Sequence, residues 1–289
     1  MDIVGTVKLC LADLFVSVLW VYVGSGIAVA ASALSPYLGA SEFTVVLLLI
    51  FVISIGFELL CGALGGASFN MAVDLAVFTA GVGSERTHSV PVLACRFPAQ
   101  MAGSVLGAMA LDRTAPTAFR HMIVGAKLQA DVHLYLGMSV EMGLAFLLNI
   151  AILWSVLACP EGRTYLKSGI PLFTTLVLIC FGSPYTGASM NPGTAFAWAY
   201  FEERHVTAEH FLVYWVGTMM GAVLAAFFAA AIWRETKDDT RDVKVDIKPT
   251  KGKGKQGEEK GKQETEKQEV EKANNLKEEV KDETKDKDA

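Results

Sequence analysis

Gly66-Ala67-Ser68-Phe69-Asn70 recurs later in this chain as Gly187-Ala188-Ser189-Met190-Asn191. Each copy follows a long hydrophobic stretch and precedes a short apolar run, residues 71–79 in the first case and 192–201 in the second. Neither run has the roughly 20 apolar residues that a helix needs to cross a bilayer. One copy alone is a weak signal, but two copies at matched positions indicate an internal repeat.

Six hydrophobic stretches predict an all-α membrane protein. Five of them reach the length of about 20 residues that spans a hydrocarbon core of about 30 Å. The stretch 168–183 is shorter and would need polar ends or a thin passage. The alternative, a compact soluble helical protein, rarely has this many apolar segments with so few charges. The stretches are 5–32, 43–64, 89–111, 134–157, 168–183 and 208–233.

Charge is distributed unequally along the chain. Residues 234–289 hold 16 of the 25 Lys and Arg and 17 of the 30 Asp and Glu. Such a composition does not bury enough apolar surface to offset the entropy of ordering. We therefore predict a membrane domain over 1–233 and a disordered charged tail over 234–289, whose partner nothing in the sequence names. No basic domain is present that would indicate nucleic-acid binding.

The repeat also predicts how the two halves are oriented. An odd number of spans in each half turns the halves in opposite directions, so both motifs would reach the midplane from opposite faces. Non-helical backbone at that depth persists only where it is buried or lines a wet cavity. Each short helix would point its positive N-terminal end at the centre. Asn70 and Asn191 would cap these ends and donate to a passing oxygen, in a pore that repels cations.

Several classes of function are not supported by the residues. The chain shows no nucleophile–base arrangement, no phosphate-binding loop and no paired carboxylates for a metal. Its five cysteines are not at metal-ligand spacing. We therefore expect no enzyme activity, no cofactor and no metal.

Further motifs accompany the repeat and carry a resemblance to a known family. Gly65–Asn70 and Thr186–Pro192 resemble the two Asn-Pro-Ala loops of aquaporins. Together with the other motifs they resemble the plant small basic intrinsic proteins, first subgroup, over roughly residues 5–233 and not over the tail. The other motifs are Arg96-Phe97-Pro98-Ala99-Gln100, His121-Met122, Asp131-Val132-His133, and Tyr185–Tyr200 followed by Tyr214-Trp215.

The resemblance implies a fold and an activity. The fold is a right-handed bundle of six transmembrane helices plus two re-entrant half-helices, with one pore per subunit and a homotetrameric assembly. The activity is passive conduction of water or another small neutral solute. The implied membrane is the endoplasmic reticulum, with the plasma membrane as the alternative. Cytosolic termini are expected from a weak excess of basic residues on that side and from the polar tail.

The two loops depart from the family pattern at their centres. The first reads Asn70-Met71-Ala72, so Met71 stands where the family has Pro, and the second reads Asn191-Pro192-Gly193. In the family two prolines pack against each other there, and Pro suits the first position of a helix. Met71 is larger and flexible, and it would either narrow or loosen the midpoint.

The resemblance also assigns a selectivity filter. Carried across by distance from each Asn, its four positions fall on Ile50, Ile179, Ala188 and Thr194. Ordinary water channels have an aromatic residue, a His and an Arg among these positions. The filter here would be apolar and without its cation, which implies low water permeability or a different neutral solute. Ordinary lipid-facing or core packing is the alternative for Ile50 and Ile179.

Four charged residues are expected inside or beside the spans. Asp13 and Glu141 occupy the places of the family's buried carboxylates, which hold the loop backbone in shape. Asp74 follows Asn70 by one helical turn and is either a satisfied structural carboxylate or a pore-facing one that weakens the cation barrier. Arg96 is expected to snorkel or to bond loop carbonyls on the cytosolic side.

A second function remains open at this level. The chain could be a non-conducting membrane scaffold that recruits a partner through its charged tail.

Overall fold

The computed structural model describes residues 2–123 and 125–233. The predicted tail over 234–289 lies outside the described residues. The described chain is helical, and the helices are labelled in chain order. They are α1 Ile3–Ser25, α2 Ile27–Leu38, α3 Glu42–Ala63, α4 Met71–Thr79, α5 Val90–Thr114, α6 Leu134–Leu157, α7 Thr164–Thr186, α8 Pro192–Phe201 and α9 Ala208–Trp233, with a short 3-10 turn at Thr117–Met122.

Six of these helices have the length of a membrane crossing. Among the described residues, α1, α3, α6, α7 and α9 are long and apolar enough to span a bilayer. The sixth, α5, has 25 residues and is less apolar because Arg96 and Gln100 are buried in its interior. By contrast, α4 has 9 residues and α8 has 10. At about 1.5 Å per residue they reach only about halfway through the hydrocarbon core.

Two predicted spans differ from the observed helices. The stretch 5–32 is divided, because α1 ends at Ser25 and α2 begins at Ile27. Gly26 lies at the break, where its N–H bonds to the carbonyl of Val23 at 3.1 Å. The hydropathy of the stretch does not show this break. The short stretch 168–183 is extended at both ends by polar residues into the 23 residues of α7.

Two pairs of helices approach closely through glycines. In the first half, Gly103 and Gly107 of α5 lie against carbonyl oxygens of α1, where a Cβ would come within 2.3 Å and 2.4 Å of Leu14 and Val18. In the second half, Gly217 and Gly221 of α9 do the same against α6. There the distances to the carbonyl oxygens of Met138 and Met142 would be 2.7 Å and 2.2 Å. Small residues spaced by four let membrane helices pack backbone to backbone.

We predict that Gly221→Ala destabilises the protein by about 1–3 kcal/mol, because its methyl group would overlap the Met142 carbonyl. Gly143→Ala on α6 is the matched control, since a Cβ there meets nothing within 4 Å. Thermal unfolding of the purified protein in detergent measures both. Equal melting temperatures for the two variants would contradict the close contact between α6 and α9.

Candidate functional site

The N-terminal ends of the two half-helices meet through their asparagines. Asn70 donates from Nδ2 to the carbonyl of Met190 at 3.0 Å, and Asn191 donates from Nδ2 to the carbonyl of Phe69 at 2.7 Å. The two loops therefore exchange one hydrogen bond each. This brings Asn70 and Asn191 together at the tips of their loops.

The same two side chains cap their own helices. Asn70 Oδ1 accepts from the N–H of Ala72 at 3.0 Å, and Asn191 Oδ1 accepts from the N–H of Gly193 at 3.0 Å. An N-cap satisfies one of the N–H groups that the first turn leaves without an intrahelical partner. Because each amide oxygen is engaged with its own helix, each amide nitrogen faces the opposite loop.

Glu141 of α6 holds the second loop. Its carboxylate is fully buried and accepts from Thr186 Oγ1 at 2.7 Å and from the N–H groups of Ser189 and Met190 at 2.9 Å. The loop needs this support because Met190 has φ of 49°, in the left-handed region that favours glycine. Tyr214 of α9 adds a hydrogen bond from its hydroxyl to the carbonyl of Thr186 at 2.7 Å.

Asp13 of α1 has the corresponding position against the first loop, but it does not act alone. Asp13 Oδ1 accepts from the N–H of Ser68 at 2.8 Å. Arg96 of α5 binds both carboxylate oxygens, with Nε–Oδ2 at 2.6 Å and Nη2–Oδ1 at 3.0 Å. Both side chains of this bidentate pair are fully buried. Arg96 also donates to the loop carbonyls of Gly66 at 3.2 Å and Thr87 at 3.0 Å.

Arg96 therefore fulfils one of its two expected roles and not the other. It bonds loop carbonyls, but it does not snorkel, because its guanidinium is fully buried against the Asp13 carboxylate. The Asp13–Arg96 pair is the interaction that sequence reasoning missed. A signal was present, since an Arg inside a membrane span needs an acidic partner and Asp13 lies inside the predicted span 5–32.

Asp74 of α4 belongs to the same buried cluster. Gln100 donates from Nε2 to Asp74 Oδ2 at 2.7 Å and to Asp13 Oδ2 at 3.0 Å. The other oxygen, Asp74 Oδ1, lies 3.6 Å from Arg96 Nη1 and 3.4 Å from His88 Nε2. The side chain is 4% exposed, and both of its oxygens contact protein groups. Of the two interpretations of Asp74, this arrangement favours the structural carboxylate.

The departures at the loop centres are accommodated by packing. Met71 is fully buried, and its Cε lies 3.1 Å from the point where a Cβ on Gly193 would be. Ala72 and Pro192 are also buried. The larger Met71 side chain thus packs against Gly193 of the second loop, which has no side chain.

The four predicted filter residues have different surroundings. Ala188 is 7% exposed, in a cluster with residues of α6 and α7 against which Ile179 packs. Thr194 is half-buried on α8 and its Oγ1 lies 2.9 Å from Asn191 Nδ2. Ile50 is half-buried on α3. The assignment of these four residues to one constriction stays a prediction.

We predict that Arg96→Gln lowers the free energy of unfolding by about 3–5 kcal/mol, because it leaves the Asp13 carboxylate buried without its cation. Arg163→Gln, in the exposed loop before α7, is the control and should have little effect. Both are measured by thermal unfolding in detergent. A loss no larger than that of the control would show that the Asp13–Arg96 pair is not a main support of the first loop.

Comparison with known proteins identifies relatives over most of the chain. Residues 2–229 match the family described as Major intrinsic protein. Aquaporin SIP1-1 of Oryza sativa subsp. japonica is 40% identical over 235 residues, covering 80% of this chain and 94% of that protein. Aquaporin SIP1-1 of Zea mays is 38% identical over 236 residues, covering 79% and 94%. Aquaporin SIP1-1 of Arabidopsis thaliana is 33% identical over 231 residues, covering 79% and 94%.

A solved structure has the same fold. The aquaglyceroporin from Plasmodium falciparum superposes with a TM-score of 0.66 at 16% identity, covering 81% of this chain and 99% of that chain. This likeness concerns the fold, and it confirms the predicted bundle of six transmembrane helices with two re-entrant half-helices. The chain is therefore a member of the Major intrinsic protein family, and the relatives confirm its predicted resemblance to the first subgroup of the small basic intrinsic proteins.

Proposed function

We propose that this protein is a passive channel for water or other small neutral solutes, with an apolar filter and modest water permeability. Its family and its apolar helices make it a multi-pass integral membrane protein of a channel family. The observation that carries the proposal is the hydrogen-bond exchange between Asn70 and Asn191 and the opposite loops.

The arrangement of the half-helices explains why uncharged solutes would pass. Each helix N-terminus carries about half a positive charge, and both α4 and α8 point this end at the meeting of the loops. A cation approaching the centre is repelled by both ends. An anion is disfavoured by the apolar residues assigned to the filter, Ile50, Ile179 and Ala188, because an unpaired charge is costly there. A neutral molecule meets neither barrier.

The same residues explain why water would pass slowly. Water gives up its own hydrogen bonds on entering a narrow pore, and the channel must replace them. Side chains of Ile and Ala offer no replacement at the predicted filter. Ordinary water channels have an Arg among these four positions, and none of the four is an Arg here, so one strong donor is missing as well. Transport is expected to be slower than in channels with a polar filter.

The buried carboxylates have a structural part in this proposal. Asp13 holds the first loop and Glu141 holds the second, each by accepting hydrogen bonds from loop N–H groups. Asp74 of α4 contacts Gln100 and Arg96, and through these two residues α4 is connected to the support of the first loop. With its oxygens engaged by these groups, Asp74 is proposed not to weaken the cation barrier. No step of the transport requires a cofactor or a metal.

Assembly and location form part of the proposal. We expect a homotetramer with one pore in each subunit, located in the endoplasmic reticulum or, as the alternative, in the plasma membrane. Both termini face the cytosol in this arrangement. The channel domain corresponds to residues 1–233, and the charged residues 234–289 form a cytosolic tail.

Stopped-flow measurements on proteoliposomes test the channel. The fluxes of water, glycerol, urea and hydrogen peroxide are measured separately, and at least one should exceed that of empty vesicles. Asn191→Ala is expected to lower flux by about tenfold or more, because it removes the cap and the bond to the opposite loop, each of about 1 kcal/mol. Cys159→Ala, in the loop after α6, is the control and should conduct like the wild type. Rates equal to empty vesicles for all four molecules would refute the channel.

Deletion of residues 240–289 separates the channel from the scaffold hypothesis. The charged composition of this segment is the observation that favours a scaffold. A channel retains its flux after the deletion, since the residues proposed to form the pore remain. A scaffold loses its cellular effect with the tail, whereas Asn191→Ala leaves that effect intact. Loss of flux in the shortened protein would contradict the proposed separation of the two parts.

A further inference from the structure

Most of the unpartnered buried polar atoms of the described chain lie in one short segment. Within residues 2–123 and 125–233, seven buried side-chain nitrogen or oxygen atoms have no hydrogen-bond partner. Four of the seven lie between α8 and the first turn of α9, namely Nη1 and Nη2 of Arg204, Nδ1 of His205 and Nδ1 of His210. A buried donor without an acceptor is costly, so this concentration needs a physical explanation.

His210 is held in the form that donates from Nδ1. The residue is 1% exposed, and Trp215 Nε1 lies 3.2 Å from His210 Nε2. An indole nitrogen only donates, so His210 Nε2 accepts and the neutral ring carries its proton on Nδ1. The unpartnered Nδ1 is therefore an N–H group. It has no lone pair for a metal ion, and its partner must be a hydrogen-bond acceptor.

The backbone of α9 explains why Trp215 reaches His210. Within α9, residues Phe211–Gly217 form a π-helical segment. In an α-helix, residues five positions apart are rotated by about 140° around the axis, so the two rings would lie on different faces. A π-helix closes its hydrogen bonds between residues five positions apart, which brings both rings to one face. π-Helical turns are rare, and many of them are found at functional sites.

Arg204 supplies a positive charge beside this donor. Its Nε donates to Glu202 Oε2 at 2.6 Å, so Glu202 engages one edge of the guanidinium. Nη1 and Nη2 remain, and together they can donate to two oxygens of one ligand. Thr207 holds the two residues in one tight turn, because its Oγ1 donates to the carbonyl of Arg204 at 2.7 Å and accepts from the His210 N–H at 3.1 Å.

We propose that Arg204 and His210 form a binding site for a small oxyanion of the phosphate or carboxylate class. The site goes beyond the proposed conduction and does not depend on it. Planar guanidinium donors match the paired oxygens of such a ligand, and the positive N-terminal end of α9 favours a negative charge. The ring of Phe196 forms an apolar wall, 6.2 Å from His210 between ring centroids, and hydrogen bonds are stronger in such surroundings.

The site is reachable from water, because the side chain of Arg204 is 18% exposed. A free phosphate ion and the phosphate of a lipid headgroup share the same recognition chemistry. The test therefore includes both sources.

The test is the melting temperature of the purified protein in detergent, titrated with inorganic phosphate at an ionic strength held constant with sodium chloride. We expect a saturable rise of about 2–4 °C, since a ligand that binds the folded protein stabilises it. Arg204→Gln should lose this rise. Arg113→Gln is the matched control and should keep it, because Arg113 is exposed at the end of α5 that packs near Trp198 of α8.

Two further variants test the geometry of the site. Arg204→Lys keeps the charge without the paired donors, and the apparent affinity for phosphate should fall about tenfold. Trp215→Phe removes the N–H that fixes the proton of His210 on Nδ1, and it should also weaken binding. This variant decides the question if Arg204→Gln does not fold. Unchanged affinity in both variants would overturn the site.

A parallel titration with the soluble short-chain lipid dihexanoyl phosphatidic acid separates the two sources. A rise with inorganic phosphate supports a free ion as the ligand. A rise with the lipid alone would keep the oxyanion site and identify the ligand as a headgroup. The site is refuted by an equal rise in the wild type and in Arg204→Gln, or by no rise with either compound.

Discussion

The two loops are fixed by an exchange of hydrogen bonds between Asn70 and Asn191 and the carbonyl groups of Met190 and Phe69. Each loop reaches the other only if its own backbone keeps its non-helical conformation and its helix begins at the asparagine. Asp13 of α1 and Glu141 of α6 hold the loop backbone in its conformation by accepting hydrogen bonds from loop N–H groups. The side-chain caps of Asn70 and Asn191 fix the residue at which each short helix begins. Glycine contacts between long helices then bring the surrounding walls close enough for these short-range interactions to form.

The two halves reach the same geometry by different means. The second loop relies on a single carboxylate, Glu141, supported by hydroxyl groups, and it carries backbone strain at Met190. The first loop relies on an ionic cluster of Asp13, Arg96 and Asp74. The larger number of supporting groups at the first loop agrees with the absence of a proline there. Met71 lacks the fixed φ that Pro would provide at the first helical position.

Much of the fold was predictable from the sequence because its signals are local. The repeat around Asn70 and Asn191 marks both half-helices, and hydropathy locates the spans. The break at Gly26 was not predictable in this way, since a glycine among apolar residues does not change hydropathy. The Asp13–Arg96 pair joins residues far apart in the chain, and only the packing of α1 against α5 brings them together. The engagement of Asn191 by Thr194 likewise depends on side-chain orientation, which a motif does not specify.

The buried guanidinium of Arg96 also bears on how the protein is made. During synthesis at a ribosome, α1 leaves the tunnel well before α5. Releasing α5 by itself into lipid would expose a charge to hydrocarbon, which is expensive for a single helix. If α1 is still beside the translocon, its Asp13 carboxylate can pair with the Arg96 guanidinium as α5 emerges. The free-energy cost of placing that charge in the membrane then falls. The ion pair therefore ties the order of membrane insertion to the order of tertiary assembly in the N-terminal half.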